Sequence, residues 1–437
     1  MRLNMKPKQW RSDQWMVPFL VIWGGQVLSW IGSRVAMFAL IWWLTDKTGS
    51  ATVLASATLA AMLPQILLGP VAGVYVDRLN RRMVMIAADG LIALVSLWLA
   101  IMFWTGQIQV WHVYVIMIVR ELGGMFHWPA MQSSTSLMVP KEHLARVAGL
   151  NQAINGGLSI VGPALGAALL AVGELHHAML LDVFTALLAI VPLLVVIIPQ
   201  PERRAAQKQG ESSVWADLRE GASYVFHWRG LMILTGMALV FKIALTPAFS
   251  LMPLLVKEHF DGGAPQLALM QSVLGVGIIL GGLLLGVWGG FKPRILTTIT
   301  SITVIGFMLV ILGALPPGWF AVAVMVAFVN GACIALCDGP LFAALQSTIA
   351  PEIQGRVFMI FASLVNLTAP IGLAIAGPVT DLAGIQVWYV VAGLLCAAMG
   401  VAGYFAPAVV HFEDNHPNSV SAAPVPALAE EPLPVQG

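Results

Sequence analysis

Twelve stretches of this chain stay apolar for about 20 residues or more, the length a helix needs to cross the hydrocarbon core of a bilayer. They run at roughly 16–44, 51–76, 83–105, 110–138, 146–171, 178–199, 231–256, 266–290, 293–315, 319–348, 356–380 and 384–407. Lipid offers no partner to a bare N–H or C=O, so each stretch reads as a helix. Charged residues make up 10% of the chain, far below the roughly 25% of a soluble domain. The expected fold is an all-α integral membrane protein. Its twelve transmembrane helices place both termini on one side.

Lys and Arg predict which side. Seventeen fall before the first span, in the even-to-odd connections and in the central linker; only Lys47 and Lys257 fall in the others. By the positive-inside rule both termini face the cytoplasm of a cell-membrane protein. Trp42, Trp43, Trp104, Trp111, Trp319 and Trp388 then sit near the outer interface, and Trp15, Trp228 and Trp288 near the inner one. A net charge of +1 gives no case for a nucleic-acid partner. The arginine-rich connections point instead to membrane lipid. Cys333, Cys337 and Cys396 all lie in apolar stretches and read as packing residues, not as a disulfide framework or a metal site. No cleavable signal is expected, because the first span itself directs insertion.

The chain divides into a six-span unit at 1–199, a polar linker at 200–229, a second six-span unit at 230–407 and a tail at 408–437. Within the linker, Val214, Leu218, Ala222 and Val225 keep one helical face apolar, which predicts a short surface helix. The tail is rich in Pro and Ala without apolar period and is expected to be disordered. The two units repeat one another. Pro129, Pro140 and Arg146 return as Pro340, Pro351 and Arg356, the prolines displaced by 211 residues. Such paired halves are a layout of secondary transporters.

Between the second and third spans, Gly73, Asp77, Arg78, Arg81 and Arg82 form a tight, strongly charged turn. Its order, G-x-x-x-D-R-x-x-R-R, resembles the loop signature of the major facilitator superfamily, with Asn80 in place of a usual glycine. The Trp42–Ala51 segment, Pro129-Ala130 and Gly355-Arg356-Val-Phe are similar to the macrolide and multidrug efflux branch of that superfamily. The resemblance implies two pseudo-symmetric six-helix bundles, alternating access and a gating role for the charged turn. It implies that Asp77 holds the inner gate shut in the outward-facing state by capping the eleventh span near Gly355-Arg356.

No nucleotide-cradling G-x-x-x-x-G-K-[ST] motif occurs, so pumping would draw on an ion gradient. Ionisable groups inside a membrane each cost about 2.5–3.5 kcal/mol on insertion scales and are functional candidates by default. Arg120, in Arg-Glu-Leu-Gly123-Gly124, resembles the fourth-span motif of drug–proton antiporters. A guanidinium does not release its proton, so its expected role is to hold a carboxylate. Glu121 points about 100° away from it. The proton-coupling candidates are Arg120, Glu121, Asp89 and Asp338. Arg34, Asp182 and Lys242 are candidates for an ion pair or for substrate binding, with Asp182, about one turn from a span end, also open to a snorkelling or capping reading. Gly162, Pro163 and Gly166 resemble the antiporter bend motif of the fifth span, with Leu158 and Ala167 replacing its outer glycines.

The expected activity is export of amphipathic, drug-like small molecules by proton antiport, carried out by a monomer without cofactor or metal. Two other readings stay open: import or facilitated passage of a small metabolite, and a transporter-shaped receptor. An enzyme is disfavoured, since neither H-E-x-x-H nor G-x-S-x-G occurs.

Overall fold

Each long apolar stretch folds as a helix, and the connections are short enough to make neighbours antiparallel. The computed structural model describes residues 15–196, 198 and 214–414. The first half holds α1 (Met16–Thr48), α2 (Ala51–Arg78), α3 (Arg81–Trp104), α4 (Val110–Met138), α5 (Lys141–Val172) and α6 (Leu175–Val195). The linker helix α7 (Val214–His227) leads into α8 (Arg229–Ser250) and a short α9 (Met252–Leu254), which continues as a π-turn over Leu255–His259. Then follow α10 (Ala264–Trp288), α11 (Arg294–Ala314), α12 (Phe320–Thr348), α13 (Pro351–Ala383), α14 (Ile385–Tyr404) and a final turn α15 (Pro407–Val410). Eleven of these are long and apolar enough to cross a membrane. The twelfth, α4, has 29 residues and a lower hydropathy because it carries His112, Arg120, Glu121 and His127.

Helix ends follow the local chemistry. The charged turn is shorter than its sequence suggests: α2 runs through Arg78, only Leu79 and Asn80 intervene, and the Asn80 side chain caps α3 by accepting from Met83 N–H at 3.3 Å. Pro140 and Pro351, the repeat-related pair, both stand where their missing N–H costs nothing, at the starts of α5 and α13. Inside the second half, α10 crosses α12 backbone to backbone. A Cβ on Gly277, Gly281 or Gly331 would strike the carbonyl of Phe328, Ala332 or Leu274 respectively.

The halves meet through two antiparallel pairs, α2 with α13 and α5 with α10. The face where α1 begins and α14 ends is termed here the terminal face, and the opposite one the distal face. Buried apolar clusters show how the halves are tilted. On the distal side one cluster runs through both, from Leu44, Ala51 and Leu54 to Leu251, Leu255 and Ala376. Toward the terminal face the clusters are separate, one around Phe19, Met85 and Met131, the other around Leu231, Ile295 and Phe361. The bundle is therefore drawn together at its distal end.

One expectation needs correction. The polar tail does not begin at 408: Val409 and Phe412 are fully buried, and Phe412 stacks on Trp228 at 4.4 Å between ring centroids. Glu413 accepts the N–H of Arg294 at 2.8 Å and so caps α11. These residues are held because Trp228, at the start of α8, offers an aromatic face that solvent would otherwise cover. The tail beyond 414, the linker at 200–213 and the first 14 residues lie outside the described residues. Within the linker, α7 packs against α13 as well as α8.

Candidate functional site: a cleft, a buried polar network and a distal latch

Cavities open between and within the halves. One of about 370 Å³ lies in the second half, lined by Met237, Phe241, Lys242, Asp338, Phe342 and Phe361 among others. A second, of about 280 Å³, lies where α1 and α5 face α9 and α10, with Arg34, Met37, Met252 and Gln271 on its wall. Phe249 lines both. The walls are chiefly apolar and aromatic, and three ionisable groups interrupt them: Arg34, Lys242 and Asp338. All three are exposed to the cavities. Such a lining suits an amphipathic small molecule, held by its apolar body and oriented by one or two charges. The fifth-span glycines shape this wall. A Cβ on Gly162 would lie 2.7 Å from Cβ of Arg34, and one on Gly166 would lie 2.6 Å from the Phe38 ring. Small residues there let α1 lie directly on α5.

The interior of the first half holds a polar network. Arg120 on α4 pairs with Asp182 on α6, and both are buried, at 8% and 0% exposure. Asp182 Oδ2 also accepts from Ser96 at 2.6 Å, and Oδ1 accepts from Ser33 at 3.0 Å. Arg120 donates to Ser96 as well, at 3.1 Å. Asp182 is thus no snorkelling residue. Helix α6 begins at Leu175, so position 182 is about two turns inside it and faces the bundle core. Closer to the terminal face, Asp89 on α3 accepts from Gln26 on α1 at 2.9 Å, and His127 Nε2 lies 3.5 Å from its other oxygen. Glu121, the nominated neighbour of Arg120, is half-buried and stands apart from this network.

At the start of α3, Arg81 donates to the Ser133 carbonyl at 3.1 Å, and Arg82 reaches the carbonyls of Leu193 and Leu194. Both arginines bind the ends of helices within the first half. The side chains of Asp77 and Arg78, and the surroundings of Gly73, lie outside the described residues.

At the distal face the cross-half contacts are polar and specific. Asp381, in the last turn of α13, accepts from Ala51 N–H at 2.6 Å, Thr52 N–H at 3.0 Å and Ser50 Oγ at 2.9 Å. It therefore caps α2 from the other half. Lys257 pairs with Asp46 at 3.1 Å and donates to its carbonyl at 2.8 Å. Thr58 and Ser250 share a hydrogen bond of 2.6 Å. Gly377 makes the approach possible, since a Cβ there would lie 2.9 Å from Cα of Thr52.

Sequence reasoning missed Gln26, Ser33, Ser96, His127 and Asp381. A signal existed for the first two: Gln26, Ser29 and Ser33 recur at helical spacing along an otherwise apolar α1.

Two membrane-length helical bundles, drawn together at one end around a shared cleft that carries a few charges, define a secondary-transporter architecture. The chain belongs to the Major Facilitator Superfamily, which it matches over residues 22–369. It is a transporter, not an enzyme. It is 33% identical over 391 residues, 90% of this chain and 96% of the relative, to macrolide efflux protein A of Streptococcus pyogenes. It is 25% identical over 404 residues, 89% of this chain and 96% of the other, to the multidrug efflux pump Tap of Mycolicibacterium fortuitum. Among solved structures it resembles in fold a bacterial homolog of the human lysosomal transporter Spinster in an inward-facing, unoccupied conformation. That likeness has a TM-score of 0.69 at 12% identity, covering 92% of this chain and 98% of the other.

Proposed function

We propose that this transporter exports amphipathic, macrolide-like small molecules across the cell membrane, in exchange for protons, with both termini in the cytoplasm. The observation that carries the reading is the cleft. Its aromatic and methionine wall, broken by Arg34, Lys242 and Asp338, offers dispersion contacts to a bulky apolar body and fixed charge to a polar substituent. The likeness to proteins named for macrolide and multidrug efflux supports the same substrate class. With the terminal face cytoplasmic, the distal closure leaves the cleft poised to load from inside. Asp77 acts in the opposite state, capping the start of α13 near Gly355 and Arg356 when the terminal face closes. The protein works as a monomer, each chain containing its own cleft.

The test is growth of an efflux-deficient host expressing the protein across a panel of antibiotics, followed by uptake into everted vesicles. Export predicts raised resistance to lipophilic macrolides and accumulation in vesicles with alkalinisation of the lumen. Accumulation in right-side-out vesicles instead would assign import.

A further inference from the structure

The buried network in the first half contains two carboxylates of opposite character. Asp182 has both oxygens engaged, by the guanidinium of Arg120 and the hydroxyls of Ser96 and Ser33. A proton arriving there would have to displace one of these donors. Asp89 has one oxygen on the neutral amide of Gln26, and the other faces an imidazole nitrogen. That nitrogen, His127 Nε2, has no hydrogen-bond partner within reach and is fully enclosed, as is Oε1 of Gln26. Asp89 and His127 are 3% and 6% exposed. A separation of 3.5 Å is too long for a made hydrogen bond and short enough that one added proton would make it.

We propose that His127 and Asp89 together carry the coupled proton, a reading that rests on the proton-antiport function above. The proton enters the gap between Nε2 and Oδ1. It bonds to one and is shared with the other, so the pair takes it up as one unit, whichever atom holds it. Release on the other side of the membrane restores the open gap. Arg120 and Asp182 then act as positioning residues that tie α4 to α6.

The neighbours leave this pair as the exchangeable site. From α1 the facing group is Gln26, and Arg34 lies about two turns further along. On α4 itself Glu121 and Arg120 stand about two turns toward the distal face. From α6 comes Asp182, already taken by Arg120. On α3, Arg81 and Arg82 are bonded to main-chain carbonyls at its start. Residues 51–69 of α2 and 147–172 of α5 carry no titratable side chain.

The test uses the full chain in proteoliposomes, with erythromycin as the probe. Readouts are accumulation driven by a pH gradient, exchange without a gradient, and proton movement. Asp89→Asn is expected to lower gradient-driven accumulation by about 5- to 150-fold, the span of site-to-site couplings, while exchange persists. His127→Gln is expected to lower it in the same range and to flatten the pH profile of transport, because the pair then lacks one of its two proton-holding atoms. A merely structural pair would lower thermal stability and leave that profile in place. Should Asp89→Asn fail to fold, His127→Gln alone decides. Wild-type coupling with wild-type pH profiles in both variants overturns this assignment. Erythromycin transport by the wild type with no proton movement overturns the antiport reading and the assignment together.

Discussion

Asp381 and Ala51 lie 330 positions apart and meet at 2.6 Å, carboxylate oxygen to backbone N–H, across the boundary between the two halves. The contact uses a helix end as a lock. The first N–H groups of α2 have no partner within their own helix, and a carboxylate from α13 supplies one. The mirror arrangement is the one proposed for Asp77 and the start of α13. Helices α2 and α13 run antiparallel, so each would bring an acid near its own end to the other's beginning.

Asp381→Asn should weaken the distal closure without unfolding the protein. A carboxylate at a helix N-terminus contributes about 0.3–1 kcal/mol when exposed and up to about 2 kcal/mol when partly buried. Changes of that size shift a two-state balance by a few-fold to about thirtyfold. Spin labels at Gln107 and Gly318, exposed on distal connections of opposite halves, would read the change as a longer distance in the variant. An unaltered distance distribution would reduce the contact to decoration.

For the buried pair, Arg120→Ala should cost about 3–5 kcal/mol of stability, because Asp182 is left charged and unpartnered. The double variant Arg120→Met with Asp182→Leu should recover most of that loss, since it removes both desolvation penalties at once. Thermal unfolding in detergent measures both. Arg120→Lys should fall between, keeping the charge and losing the planar fork.

Asp338→Asn should selectively weaken transport of cationic substrates. The carboxylate is exposed to a largely apolar cavity, where a lost charge is poorly replaced by water. An effect of about 1.4 kcal/mol would raise the half-maximal concentration of a cationic macrolide tenfold. A neutral lipophilic substrate should change little. Equal loss for both would make Asp338 a structural residue.

Orientation is tested by labelling. A cysteine at Gly106, on the distal connection between α3 and α4, should react with an impermeant thiol reagent in intact cells. One at Gln207 should react only after permeabilisation. The native cysteines are all buried and give little background.

Much of the architecture could be read from residue order, because a membrane permits few solutions. Span lengths, the repeat marked by Pro129 and Pro340, and the crowding of Lys and Arg into one set of connections all lead to one layout. The site was less legible. Arg120 and Asp89 stood out as charges in apolar runs, yet their partners depend on how α1, α3, α4 and α6 rotate against each other. Sequence spacing within one helix carries no such information. Asp182 was misplaced by a turn because α6 extends back to Leu175, through a polar Leu-His-His start that hydropathy treats as loop. Asp381 was passed over for a related reason: an acid near a span end looks solvent-exposed until the other half covers it.

The stacking of Phe412 on Trp228 has a consequence for where this chain can be cut. Hydropathy would end the second half at 407, and a reporter fused there would strip away Val409, Phe412 and the Glu413 cap on α11. An edit made after Asp414 keeps all three.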